Sequence, residues 1–189
     1  LAIQIGSTLP FILQGQNINM GYSVTDPSAL LNVINEITDP APNNDYGHEL
    51  TFLRLMKDQS NVYKGSIQTA YGVALANTVT YPSNNKLADQ LKIVAKLING
   101  GLKTPVYIVN HPNTHDTHEY QVNTTDKTIG SQATNLTILS QAIGAFQQDI
   151  EAMGKADKVA GMTFSEFGRR IKSNASFGTD HGSAAPVMF

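Results

Sequence analysis

The order of helical and strand-like segments in the second half of the chain restricts its fold more than any other feature. Apolar residues at helical spacing predict helices over residues 86–99 and 131–153. Each is followed by an apolar or β-branched run typical of a buried strand, over residues 104–110 and 158–164. Helices that alternate with strands through short turns indicate parallel strands joined by right-handed crossovers. The sequence therefore predicts an α/β fold, with a mostly parallel sheet between helices.

The first half of the chain has weaker signals. Residues 1–26 contain apolar positions that alternate with small or polar ones, which indicates short strands and turns. An aspartate followed by proline predicts a helix over residues 27–37. Helical spacing recurs over residues 46–75, in a helix that is either continuous or broken near Ser60 or Gly65.

Composition limits the partners and the metal ligands that the chain can have. Its 189 residues are enough for a single α/β domain over the whole chain. Only 15% of the residues are charged and the net charge is −2, so no nucleic-acid partner is expected. No apolar run reaches the roughly 20 residues of a membrane-spanning helix, so no membrane insertion is expected. Because cysteine is absent, a metal would be bound by His, Asp or Glu, which suit zinc, manganese, magnesium or calcium.

Both ends of the sequence predict that the chain is an internal piece of a longer protein. Leu1 begins an apolar segment without an initiator methionine, and residues 185–189 are typical of the beginning of a buried strand. A sheet without its neighbouring strands exposes apolar edges, so we also expect self-association through those edges.

Acidic and imidazole side chains follow both of the last two predicted strands. After the strand over residues 104–110, the loop carries Asp116 and His118, which face the same way if that segment is extended. After the strand over residues 158–164, Asp180 and His181 lie between small residues, which leave the backbone free to aim both side chains inward. Loops that leave neighbouring parallel strands can converge. The sequence predicts a divalent-metal site made of these four residues, with an open position for hydrolytic chemistry.

The catalytic candidates beside this site are Glu166, Arg169 and Arg170. Two interpretations of the arginines remain open: they pair with Glu166 or cap a helix, or one of them binds an oxyanion such as phosphate or sulfate. Asn174 and Ser176 likewise either bond substrate oxygens or build a turn.

Several of these segments together resemble a known family. Residues 163–170 (Thr-Phe-Ser-Glu-Phe-Gly-Arg-Arg) and residues 178–182 (Gly-Thr-Asp-His-Gly) resemble the signature of the DUF1501 family. Residues 116–121, with Asp-Thr-His and a following glutamine, resemble its other motif. DUF1501 proteins are exported bacterial proteins of uncharacterised function, related to sulfatases and alkaline phosphatases. The resemblance is close over about residues 80–189.

The resemblance implies an incomplete portion of an alkaline-phosphatase-like, three-layer α/β/α fold and twin-arginine export to the periplasm or the outside. In that superfamily an Asp-His pair before glycine binds one metal, which corresponds to Asp180 and His181. Another metal usually takes an aspartate and a histidine four residues apart, whereas four residues after Asp116 this chain has Tyr120. The nucleophile and a further metal aspartate would come from upstream of this chain.

Two functions follow as hypotheses. The first is a metal-dependent hydrolase of small anionic phosphoric or sulfuric esters, in which Arg169 or Arg170 neutralises the developing charge. The alternative is an exported, non-catalytic binding or structural protein on the same fold, because a fold does not determine a function.

Overall fold

A computed structural model describes most of the chain, and the residues it describes form two compact units. The described residues are 2–7, 11–13, 21–30, 39–112 and 115–189. The first unit consists of Leu1–Ala76 and Lys96–Ile108, and the second of Asn77–Ala95 and Val109–Phe189.

The elements occur in mixed order along the chain. The strands are β1 (Ala2–Ile5), β2 (Gly21–Val24), β3 (Val106–Val109), β4 (Gly168–Ser173) and β5 (Thr179–Gly182). The α-helices are α1 (Asp45–Val73), α2 (Lys86–Asn99) and α3 (Ser131–Ala152), and three short 3-10 helices cover Phe11–Leu13, Pro27–Ala29 and Ala156–Lys158. Among the described residues, none of the helices combines the length and the apolar character needed to span a bilayer.

A three-stranded parallel sheet confirms the predicted α/β class. Its strand order is β2-β1-β3, and β1 and β2 are paired in parallel, with Ile3 opposite Tyr22 and Ile5 opposite Val24. All four residues of the central strand β1 are buried, as expected for a parallel strand covered on both faces. The alternating pattern near the N-terminus therefore did indicate strands.

Helix α1 is continuous through both positions at which a break was considered. It begins after Asn44, whose side-chain oxygen accepts a hydrogen bond from Gly47 N at 2.9 Å. Gly65 lies within it, where an added Cβ would meet no described atom within 4 Å. An internal glycine weakens a helix by about 1 kcal/mol but does not interrupt it.

The helix predicted over residues 27–37 is only partly present. Asp26 Oδ1 accepts a hydrogen bond from Ser28 N at 2.8 Å, and a single 3-10 turn follows. Leu30 is extended, with φ −65° and ψ 104°, so the helix does not continue through that residue. The rest of the prediction, residues 31–37, lies outside the described residues.

Helix α2 has the predicted bounds because both of its ends are capped. Asn85 Oδ1 accepts a hydrogen bond from Ala88 N at 3.0 Å, which satisfies a free donor of the first turn. At the other end, Gly101 adopts φ +82° and Leu102 N donates to Leu97 O at 3.1 Å. This left-handed glycine and its hydrogen bond form a Schellman cap.

Helix α3 confirms the prediction over residues 131–153, but its buried face coincides only in part with the apolar face of the sequence. Leu136 and Ile143 are 44% and 40% exposed, whereas the polar Asn135 and Asp149 are buried. Ala142 of α3 forms a core cluster with Leu87, Ala88 and Leu91 of α2. The hydrogen bonds of Asp149 explain why this polar residue is inside, as discussed below.

The strands predicted over residues 158–164 and 185–189 are absent, so the expected parallel pairing of 158–164 with 104–110 is wrong. Both segments are largely exposed, with Met162 and Phe164 at 60% and 62%. They meet only at Thr163 and Met188, where Thr163 N donates to Met188 O at 3.0 Å. An apolar run becomes a strand only where a partner strand satisfies its backbone groups, and no described strand lies beside these two segments.

The polar segment that was predicted as a loop instead forms a second, antiparallel sheet. Strands β4 and β5 pair as a hairpin, with Arg169 opposite His181 and Ser173 opposite Thr179. Ile171 is fully exposed, so the strand has no apolar face toward a core. Without such a face, the sequence carries no alternation from which the hairpin could be predicted.

Candidate metal centre

The hairpin β4–β5 pairs with the loop that follows β3, and this contact creates the site. Tyr120 N donates to Ser176 O at 2.9 Å, and Thr179 N donates to Thr117 O at 3.4 Å. The two motif-bearing loops thus do meet. They meet through backbone hydrogen bonds rather than at the shared edge of one parallel sheet.

Asp116 is the centre of the cluster. Its Oδ1 atom lies 2.7 Å from His181 Nε2, 3.0 Å from His118 Nε2 and 2.9 Å from Arg169 Nη2. The hydrogen bond from His181 holds the pKa of Asp116 below its ordinary value, and the charges of His118, His181 and Arg169 act in the same direction. The carboxylate and both imidazole side chains are nearly half exposed, so solvent and ligands can reach them.

The hairpin register explains how two of these groups reach the same oxygen. Arg169 and His181 are directly opposite each other on β4 and β5, so their side chains lie on one face. The ring of Phe167 stacks on His181 at a centroid distance of 4.0 Å and an interplanar angle of 13°. This stacking fixes the plane of the imidazole. Sequence analysis did not single out Phe167, although it lies inside the 163–170 motif.

Asp180 lies on the far side of His118. Its Oδ1 atom accepts a hydrogen bond from Asn174 Nδ2 at 3.1 Å and lies 3.6 Å from His118 Nδ1. The Asn174 hydrogen bond lowers the pKa of Asp180, and His118 and Arg170 lower it further. Adjacent residues of a strand face opposite sides, so Asp180 and His181 do not point to one place as expected from the sequence.

The three catalytic candidates are separated. Arg169 contacts Asp116, and Arg170 Nη1 lies 3.8 Å from Asp180 Oδ2 with its side chain 67% exposed. Glu166 is exposed, and it makes no hydrogen bond or ion pair with any residue that the structure describes. The interpretation that the arginines pair with Glu166 is therefore wrong.

Asn174 builds the turn at the hairpin tip, as the second of its two interpretations predicts. Its Oδ1 atom accepts hydrogen bonds from Ser176 N at 2.9 Å and Gly178 N at 3.1 Å. Its Nδ2 atom also donates to His118 O at 2.8 Å, which ties the tip to the other loop.

An open depression of about 800 Å³ lies beside this turn. It is lined by Asp116, Thr117, His118, Glu119, Ser131, Asn135, Asn174, Ser176 and Asp180.

The model of the DUF1501 family, described as a protein of unknown function, matches residues 101–189. This segment is similar to DUF1501. The match confirms the family resemblance over these residues, and it includes every side chain of the cluster described above. A search of curated proteins and a search of solved structures found no match.

The donor atoms of the DUF1501 segment fit a small divalent ion. One ligand atom each from Asp116, His118 and His181 lies within 4.8 Å of the others. Oxygen and imidazole nitrogen are the ligands of catalytic zinc sites, where three protein ligands leave one position open. Donor atoms around a tetrahedral ion with bonds of about 2.0–2.1 Å are roughly 3.3 Å apart. The contacts at Asp116 would therefore open by about 0.3–0.6 Å, and donor atoms as far apart as 4.8 Å would close by about 1.5 Å, movements that partly exposed side chains allow.

His115 belongs to a separate contact in the DUF1501 segment. Its ring lies 4.9 Å from that of His111, and burial together with the nearby His111 lowers its pKa. Only its backbone approaches the cluster, through the carbonyl oxygen that accepts from Arg169 Nη2 at 2.6 Å.

Gly178→Ala is expected to destabilise the hairpin. A Cβ atom at this position would lie 2.1 Å from His118 O and 2.7 Å from Glu119 N. Backbone atoms cannot rotate away, so the two loops would separate, and overpacking of this kind costs roughly 1–3 kcal/mol. Thermal unfolding measures the loss. Gly161→Ala is the control, because its Cβ would meet no described atom within 4 Å, and equal Tm values for the two variants would contradict the prediction.

Proposed function

We propose that this chain supplies metal ligands to a metal-dependent hydrolase of small phosphoric or sulfuric esters. The observation that supports the proposal is the convergence of one carboxylate and two imidazoles, Asp116, His118 and His181, beside an open depression. An isolated Asp-x-His or Asp-His pair would be weak support. Here the two pairs come from different loops and present three donor atoms to one point.

The residues of the chain have distinct tasks in this proposal. Asp116, His118 and His181 would hold the ion, which when bound polarises the ester and activates the attacking group. Asp180 faces the other ring nitrogen of His118 at 3.6 Å, the position from which a carboxylate orients a metal-binding imidazole. Glu166 is a catalytic candidate only through its place in the motif.

The wider resemblance extends the proposal to the whole protein. Relationship to sulfatases and alkaline phosphatases would make the sheet a portion of a three-layer α/β/α domain, with the nucleophile supplied from outside these residues. The same relationship suggests export to the periplasm or beyond, where the substrate would be a small anionic ester. The expected self-association through sheet edges remains a prediction.

One observation favours the alternative of an exported, non-catalytic binding or structural protein. Asp116 Oδ1 is already in contact with two imidazole nitrogens and a guanidinium. A carboxylate so surrounded can serve as a hydrogen-bonded link between the two loops. In that case the residues would stabilise the hairpin, and the ion would be absent.

Metal content and hydrolysis together test the proposal. Elemental analysis of the purified full-length protein, which includes the segment that supplies the nucleophile, is expected to find a stoichiometric divalent ion, which His181→Ala removes. The rate of hydrolysis of 4-nitrophenyl phosphate or 4-nitrophenyl sulfate is expected to be lower in His181→Ala than in the wild-type protein, because the ion is lost. His48→Ala, which changes an exposed histidine on α1, is the matched control. A wild-type protein without metal would contradict the proposal, and bound metal without hydrolysis of either ester would favour the binding protein.

A further inference from the structure

We propose that the two adjacent arginines have separate tasks: Arg169 positions Asp116 without touching the substrate, and Arg170 binds the anionic group of the substrate. This inference rests on the proposed function, and it goes further by assigning a role to each arginine. The sequence alone treats the two residues as equivalent.

Both terminal nitrogens of the Arg169 guanidinium donate hydrogen bonds to the protein. Nη1 donates to Thr179 O at 2.6 Å, and Nη2 donates to His115 O at 2.6 Å and to Asp116 Oδ1 at 2.9 Å. Its side chain is only 19% exposed, and its Nε atom is buried. An anion therefore cannot reach the two parallel N–H groups that bidentate binding needs.

These hydrogen bonds tie the two loops to one metal ligand. Thr179 belongs to β5, and His115 belongs to the loop that carries Asp116. A single planar group thus fixes the distance between the loops and the position of the carboxylate. Groups that hold a metal ligand from behind typically change metal affinity about 10–100-fold when mutated.

Arg170 has the opposite environment. It follows Arg169 on β4, where the pairing with β5 becomes irregular, and its guanidinium lies beside Asp180 rather than Asp116. Its side chain is 67% exposed, and its contact with Asp180 Oδ2, at 3.8 Å, is longer than a hydrogen bond. Asp180 lines the depression beside the metal centre. Arg170 is not itself part of that lining, but its guanidinium lies next to Asp180 and has the planar geometry that matches phosphate and sulfate oxygens.

Lysine substitutions distinguish the effect of the arginine's hydrogen-bond geometry from the effect of its positive charge. Lysine keeps the positive charge, but its single ammonium cannot contact Thr179 O, His115 O and Asp116 Oδ1 in the planar arrangement of the guanidinium. Arg169→Lys is therefore expected to weaken Co²⁺ binding by about 10-fold or more and to change the visible absorption spectrum of the bound Co²⁺. Arg170→Lys is the matched control, and it is expected to leave the affinity and the spectrum unchanged.

The second half of the test uses inorganic phosphate and sulfate as probes. Arg170→Gln is expected to weaken the binding of either anion to the Co²⁺-loaded protein about 10-fold, with unchanged Co²⁺ affinity. The inference would be overturned if Arg169→Lys had the same Co²⁺ affinity and absorption spectrum as the wild-type protein. It would also be overturned if Arg170→Gln bound phosphate and sulfate as tightly as the wild-type protein. Arg169→Gln provides a second variant if the lysine variant does not fold.

A metal-free measurement distinguishes failure of this inference from failure of the proposed function. If the wild-type protein binds no Co²⁺, the hydrolase proposal fails. Even without metal, the NMR chemical shifts of the imidazole rings of His118 and His181 depend on the position of Asp116, because both rings contact it. Arg169→Lys is expected to shift both, and Arg170→Lys is expected to leave His181 unchanged. Ring resonances that Arg169→Lys does not move would show that Arg169 has no positioning role.

Discussion

Asp116→Asn is expected to reduce the affinity of the protein for a divalent ion by more than about 100-fold, the upper limit typical of groups that only support a ligand. Asp116 supplies the only carboxylate among the three converging donor atoms. Asparagine keeps the shape of the side chain but removes the charge that attracts the ion. Competition with a chromogenic chelator measures the affinity of each variant.

Two matched substitutions make this prediction specific. Asp180→Asn is expected to reduce the affinity only about 10-fold, because Asp180 acts through the imidazole of His118. Asp157→Asn changes an exposed carboxylate in the 3-10 helix after α3 and is expected to have no effect. A larger loss in Asp180→Asn than in Asp116→Asn would show that Asp180 is the ligand and that the cluster at Asp116 is structural.

Asp149→Leu is expected to lower the free energy of unfolding by at least about 3 kcal/mol, since it leaves several buried donors without an acceptor. Asp149 is completely buried. Its carboxylate accepts hydrogen bonds from Asn77 Nδ2 at 2.7 Å, from Thr78 N and Oγ1 at 3.1 and 3.0 Å, and from the Tyr81 hydroxyl at 3.0 Å. Burial first, and then the charge of Asp149, raises the pKa of Tyr81 well above its ordinary value.

Denaturant unfolding measures this loss, and two smaller changes calibrate it. Tyr81→Phe removes one donor and is expected to cost about 1 kcal/mol. Asp149→Asn keeps an acceptor for Thr78 N, so its loss is expected to lie between those of the other two variants. A leucine variant within about 1 kcal/mol of the wild-type protein would mean that the network contributes little to stability.

The parts of the fold that depend on local signals could be predicted from the sequence. Helix α2 has the predicted bounds because its signals act within a few residues, through the side chain of Asn85 and the left-handed conformation of Gly101. Strand β3 and helix α3 were likewise found by their β-branched and helical patterns. Which face of α3 is buried could not be read in this way. The segment between α1 and α2 supplies donors that make Asp149 a better interior residue than Ile143.

The sequence by itself determined the α/β class, the bounds of α2 and α3 to within one residue, and the identity of the two loops that carry aspartate and histidine. Only the tertiary structure decided how those loops meet. The segment over residues 158–164 is not a strand. Arg169 and His181 reach Asp116 because they lie on a hairpin whose sequence has no hydrophobic periodicity. The physical reason is that periodicity reports contacts between a segment and a core. The hairpin is instead held by hydrogen bonds between polar groups far apart in sequence, such as Asn174 and His118 O.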